Sequence, residues 1–207
     1  MRGRSALSWI LPFSVLASVA LGLFSPVLYR LFRGQLGRVL ALWPAALFVY
    51  FVTLAPQVAE GEIFRAVSRW FSFPGHWFGG TAVDINFGFT LDGLALLFVL
   101  LITGVGALVL FYAGSYLGRD EDHGAFFAYL MLFIGAMLGV VMADNLLLMY
   151  LFWEATSITS FLLIGFWSYR DESRAGALKA LLVTGSGGLA LLAGIVLMVV
   201  VTGSADL

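Results

Sequence analysis

The stretch Asn145-Leu-Leu-Leu-Met-Tyr150-Leu-Phe-Trp153-Glu154-Ala-Thr156-Ser157-Ile-Thr159-Ser160-Phe-Leu-Leu-Ile-Gly-Phe-Trp167 holds a single charge, the carboxylate of Glu154 near its centre. A membrane-spanning helix needs about 20 mostly apolar residues, and this run supplies them. The flanks agree with a helix. Asp144 or Asn145 offers an N-cap, and Trp167 sits where an aromatic ring belongs at a membrane–water boundary.

Five further apolar runs lie around it: Ala6 to Phe24, Val39 to Ala55, Leu91 to Tyr116, Phe126 to Ala143 and Ala175 to Val201. The expected fold class is therefore all-α, a polytopic transmembrane bundle of about six spans. Asp92 can cap the third helix and Ser173 the sixth. Pro12 and Pro44 lie inside apolar runs, which membrane helices tolerate. Gly135 and Gly139 form a GxxxG pair, and Gly185, Gly187 and Gly188 cluster on the sixth run, a pattern that lets helix backbones approach closely.

Composition agrees. The chain has 207 residues, 61% hydrophobic and 11% charged, with mean hydropathy +1.00. Soluble domains carry roughly 25% charged residues, so this chain cannot cover a water-facing surface. The net charge is −1. Basic residues do not cluster on an amphipathic segment, so nucleic acid is not expected as a partner. There are no cysteines, hence no disulfide, thiolate site or Cys nucleophile. His76 and His123 lie far apart and outside the most apolar runs, and no ligand set has metal spacing. No phosphate-binding glycine motif or Ser/His/Asp set is present. No cofactor is expected, and the chain reads as a non-enzyme.

The organisation falls into three parts. Residues 1–56 hold two helices, 57–90 form a loop and 91–207 hold the remaining helices. Within the loop, Val58 to Phe73 reads as a short amphipathic helix on the membrane surface. It is followed by Phe73-Pro74-Gly75-His76, Gly79-Gly80 and a partly alternating stretch, Ala82 to Phe89. That stretch suggests a short hairpin or interfacial strand. Arg30, Arg33, Arg38, Arg119, Arg170, Arg174 and Lys179 fall on one side of a six-span topology; Arg2, Arg4, Arg65 and Arg69 fall on the other. The positive-inside rule puts the first set in the cytoplasm and both termini outside, with the cell's inner (plasma) membrane as the expected location. Arg2 and Arg4 before an apolar run also resemble a signal-peptide n-region, with Ser18-Val19-Ala20 as a cleavage motif. The run continues to Phe24, which weighs against cleavage.

Glu154 carries the chemistry. A carboxylate at mid-bilayer costs roughly 2.5–3.5 kcal/mol to insert. A group able to hold and release a proton there is the minimum for a proton relay; the plainer alternative is a buried hydrogen bond that ties helices together. Ser157, at i+3, shares its face best, with Thr156 and Ser160 nearby as supporting polar groups. Trp153 is expected to lie deep and pack the site. Lys179, about one turn into the sixth helix, is a second proton-translocation candidate against an ordinary snorkelling lysine. Asp144 reads as a cap about 15 Å from Glu154 along the axis. Asp120-Glu121-Asp122-His123 reads as a solvated turn.

The segment Met142-Ala143-Asp144-Asn145-Leu-Leu-Leu-Met-Tyr150-Leu-Phe-Trp153-Glu154 resembles the antiporter-like membrane subunits. That superfamily includes the proton-channel subunits of complex I and the large A-type component of Mrp-type multisubunit Na+/H+ antiporters. The similarity begins near Phe89-Thr90-Leu91-Asp92-Gly93-Leu94. The residues after Glu154, the stretch from Lys179 to Gly194 and the Gly135–Gly139 segment look more like the Mrp A-type component, in its N-terminal part. The resemblance implies that Glu154 matches the family's helix-five glutamate. It also implies H+ and Na+ as transported ions and other antiporter subunits as partners, beside the lipid bilayer. Family members pair that glutamate with a lysine on a broken seventh helix. The sequence reaches Leu207 before such a helix, as expected of a fragment of a longer subunit or of a split gene product that needs a partner chain. A proton-pumping subunit of a complex I-like or hydrogenase complex, and a non-conducting scaffold, are the competing expectations.

Overall fold

A computed structural model describes residues 9–73, 83–117 and 122–202. Arg2, Arg4, Pro74, Gly75, His76, Trp77, Gly79, Gly80, Arg119, Asp120 and Glu121 lie outside the described residues. The elements run α1 (Ile10–Phe32), a 3-10 turn (Arg33–Gln35), α2 (Leu36–Ala59), β1 (Phe64–Phe73), β2 (Val83–Leu91), α3 (Gly93–Tyr116), α4 (His123–Met142), α5 (Leu146–Ile164) and α6 (Asp171–Thr202). All six α-helices are long and apolar enough to cross a membrane. The architecture is the all-α polytopic bundle expected from the apolar runs.

Where the helices start follows local chemistry. Asp92 Oδ1 accepts from Ala95 N at 2.8 Å and Asn145 Oδ1 from Leu148 N at 2.8 Å, so both cap their helices. Asp122 does the same for α4, accepting from Ala125 N at 3.0 Å. Asp122 is exposed, as the expected solvated turn requires, and His123 departs from that expectation: it is buried and stacks on Tyr29 of α1 at 5.6 Å between ring centroids. Ser173 is not the α6 cap. The helix already begins at Asp171, and the Ser173 hydroxyl donates back to Ile164 O. Pro26, Pro44 and Pro56 all lie inside helices. Hence α1 runs to Phe32, well past the expected end at Phe24, because a proline in a packed membrane helix need not stop it.

Helix α4 is the hub and the most buried of the six spans. It packs chiefly on α1 and α5, and less on α3; α2 packs on α3, and α6 on α5. Small residues set these distances. Gly22 of α1 lies against Leu132 and Ala128, and Gly135 lies against Ser18 and Val19. Gly37 of α2 abuts Phe127 and the Leu110 carbonyl. The two glycines of the GxxxG pair thus serve different neighbours, since Gly139 faces the Phe152 ring of α5. Ser14, Ser18 and Ser25 of α1 are fully buried, and Trp43 Nε1 donates to Ser18 Oγ at 2.9 Å.

The amphipathic-helix expectation for Val58 to Phe73 is overturned. Helix α2 continues to Ala59 and turns at Gly61 (φ 90°); the chain then enters β1, which pairs antiparallel with β2 from Phe64↔Leu91 to Phe73↔Val83. The register shifts between Arg69 and Phe71. Phe64, Phe89 and Leu91 are buried in the main core, which gives this hairpin an anchor that an isolated two-stranded ribbon lacks. The hairpin is also bonded to the α4–α5 junction. Asp144 N donates to Gly88 O at 3.0 Å, Thr90 Oγ1 donates to Asp144 Oδ1 at 2.5 Å, and Asn145 Nδ2 donates to Asn86 O at 2.5 Å.

Candidate functional site

Glu154 is the ninth of the nineteen residues of α5, which places it at the middle of the span. Its side chain crosses to α6. A Cβ added to Gly188 would stand 2.1 Å from Glu154 Oε1 and 3.2 Å from its Cδ. The carboxylate therefore rests against bare α6 backbone. Oε1 is buried and has no hydrogen-bond partner among the described residues. Tyr150, one turn earlier on the same face, interacts with the carboxylate.

The hydroxyls around Glu154 point elsewhere. Thr156 Oγ1 donates to Trp153 O at 2.7 Å, Ser157 Oγ to Trp153 O at 3.2 Å, and Thr159 Oγ1 to Ala155 O at 2.8 Å. Ser157 and Thr159 are buried, and Ser160 is half-buried. Thr156, Ser157 and Thr159 thus satisfy themselves on their own helix, as Ser and Thr do where no water competes. Trp153 does not pack the site. It is 43% exposed and faces away from the bundle, because one residue's step along a helix turns the side chain by about 100°.

Lys179 is not brought to Glu154. It lies nine residues before Gly188 on α6, which is about 13 Å along the axis and half a turn round, on the opposite face. The residue is exposed in the bundle. Asp144 is half-buried and serves the hairpin latch, while Asn145 takes the capping role. Asp144, Asp92, Arg65 and Thr90 line a cleft of about 380 Å³ at that end of the bundle. At the opposite end, a cavity of about 520 Å³ opens between α4, α5 and α6, with Asp122, Tyr129, Ser168 and Arg174 among mostly apolar walls. Among the described residues no group of three or more His, Asp or Glu is placed to hold a metal ion.

Two members of the site do not stand out in the sequence. Tyr150 has a signal in its i−4 spacing from Glu154. Gly188 has none beyond its glycine cluster, since only the packing of α5 on α6 chooses it from its neighbours.

A six-span bundle with a carboxylate at the midpoint of its fifth helix and a hairpin latched to the start of that helix resembles the antiporter-like membrane subunits in fold. Residues 77–127 match the family model described as NADH-ubiquinone oxidoreductase (complex I), chain 5 N-terminus. Residues 143–207 match the one described as NADH:quinone oxidoreductase/Mrp antiporter, TM. More particularly, the chain is a homologue of the N-terminal part of the Mrp antiporter's A-type component. It is 43% identical over 196 residues to the A1 subunit of the Na(+)/H(+) antiporter of Staphylococcus aureus, a match that takes in 94% of this chain. The chain spans 23% of the length of that relative. The structure is similar to a chain of the Mrp complex from Dietzia sp. DQ12-45-1b, with TM-score 0.77 and 30% identity over 95% of this chain and 20% of the other. A chain of an archaeal membrane-bound sulfane sulfur reductase shares the fold, with TM-score 0.68 at 22% identity over 93% of this chain and 29% of the other.

Proposed function

We propose that the chain forms the N-terminal portion of a proton-translocating subunit of a multisubunit Na+/H+ antiporter, with Glu154 as its proton carrier. The observation that carries this is the Glu154 carboxylate, at the midpoint of α5 with one oxygen buried and without a hydrogen-bond partner among the described residues. An ionised group left so would be strongly disfavoured in lipid, whereas a group that gains and loses a proton has a function there. The similarity to the staphylococcal antiporter and to the Mrp complex supports Na+ and H+ as the ions and other antiporter subunits as partners. In this reading the protein is a secondary transporter subunit of the plasma membrane. Residues 1–56 anchor the bundle, 57–90 form the outer hairpin loop, and 91–207 carry the proton path. Both termini of the six-span unit lie outside.

Lys179, Ser157, Thr156, Ser160 and Asp144 take secondary parts. Lys179 lies near the cytoplasmic border of the hydrocarbon layer, where a cation stabilises the span and meets protons from that side. The hydroxyls hold α5 in shape beside the carboxylate, and Asp144 secures its outer end.

The test is exchange in membrane vesicles holding the assembled complex. With Glu154→Gln, sodium flux driven by a pH gradient is expected to disappear while complex abundance is kept. Exchange at the wild-type rate would overturn the proposal. The match of residues 77–127 to a complex I chain favours a second reading, a proton-pumping subunit of a redox complex. Flavin and iron–sulfur protein co-purifying with the chain would decide for that reading. A folding and packing scaffold without conduction of its own is the third, and robust proton flux through the chain alone in liposomes would exclude it.

A further inference from the structure

We propose that Gly188 is a positioning residue: its bare α-carbon on α6 is the seat that fixes where the Glu154 carboxylate stands in the membrane. This rests on the reading of Glu154 as proton carrier. The contact is specific to one position. Non-bonded heavy atoms settle at about 3.5–4.0 Å, yet a methyl group at residue 188 would lie 2.1 Å from Oε1 and 3.7 Å from Oε2. Gly185, Gly187 and Gly194, on the same helix, meet nothing within 4 Å. The close approach is therefore not a general property of a small-residue helix.

The seat also has little competition. Thr156, Ser157 and Thr159 are bonded to their own backbone, so none of them holds the carboxylate. Tyr150 engages it from the same helix. No described residue hydrogen-bonds Oε1. Glu154 is thus located by one phenol and by the shape of the α6 surface. A methyl group at residue 188 pushes the carboxylate away from that surface. A displacement of about 1 Å at a reacting group costs up to about a hundredfold in rate.

The size argument yields a compensating pair. Aspartate withdraws the carboxylate by one C–C bond, about 1.5 Å, which is enough to clear the added methyl. In the assembled complex, Gly188→Ala is expected to lower exchange by roughly tenfold or more. Glu154→Asp alone is also expected to be impaired, because its carboxylate falls short of the seat. The double variant Gly188→Ala with Glu154→Asp should recover severalfold over Gly188→Ala. Gly187→Ala, with open space around it, is the control and should exchange as wild type.

A second readout does not depend on flux. Labelling of Glu154 by an apolar carbodiimide, followed by peptide mass, should change rate in Gly188→Ala and not in Gly187→Ala. Unchanged exchange and labelling in Gly188→Ala, or a double variant no better than the single, would overturn the proposal. Should Gly188→Ala fail to accumulate, the same comparison is read as abundance: recovery by Glu154→Asp supports the seat and lack of recovery refutes it. If Glu154→Gln retains exchange while labelling still shifts in Gly188→Ala, the proton-carrier reading fails and the positioning stands.

Discussion

At the residue scale, the site is sparse. Among the described residues one carboxylate, one phenol and one glycine meet there, while the hydroxyls of Thr156, Ser157 and Thr159 turn back to their own helix. The same scale explains the hairpin latch. Thr90, Asp144, Asn145 and Asn86 form two side-chain bonds between the hairpin and the start of α5. A hydrogen bond to a charged group contributes about 1.5–3 kcal/mol. Thr90→Val removes the donor and leaves the Asp144 carboxylate short of a partner. Amide exchange along β2 should then quicken several-fold while α4 stays protected; an unchanged β2 would show that the latch is not what holds the strand. Lys179 makes the contrasting case. Its distance and facing predict that Lys179→Gln reduces exchange far less than Glu154→Gln, and the ratio of the two rates in vesicles checks it.

At the scale of elements, the α4–α5 contact depends on an interlock. Phe152 of α5 lies over Gly139 of α4, where a Cβ would stand 2.3 Å from the ring, and it also meets Phe89 of the hairpin at 6.1 Å between centroids. Overpacking of this kind costs typically about 1–3 kcal/mol. Gly139→Ala should therefore lower the melting temperature of the detergent-solubilised protein, and Gly185→Ala should not. Span positions are legible from apolar runs because lipid demands about 20 such residues whatever the partners are. The caps at Asp92 and Asn145 are legible because capping is local. Strand β1 is not. Phe64, Arg65, Ala66, Val67, Ser68 and Arg69 scatter charges among apolar residues in a way that suits a surface helix equally well. Only pairing with β2 and the burial of Phe64 decide for a strand. The end of α1 is hidden for a related reason. Pro26 marks a stop in water, but α1 is packed on α4 there, with Gly124 close to Pro26. At the site, Glu154 stands out by its charge. Trp153 misleads because a neighbour in sequence is not a neighbour in space on a helix.

For the whole molecule, the charge distribution sets a topology that can be measured. The chain has no cysteine, so single introduced thiols report without background. Glu62→Cys, in the turn before β1, should react with a membrane-impermeant maleimide added outside intact cells. Arg170→Cys, between α5 and α6, should react only after the membrane is opened. The reverse pattern would invert the orientation proposed here.

The pairing of α1 with α4, in preference to its sequence neighbour α2, bears on how the protein is made. A chain emerges from the ribosome N-terminus first. Helix α1 therefore enters the bilayer long before the surface it fits has been synthesised. Until then Ser14, Ser18 and Ser25, fully buried in the finished bundle, face lipid or a chaperone of insertion. The first span waits in the bilayer for the fourth, and substitutions that enlarge Gly22 should show up as a delay in that late docking before they affect transport.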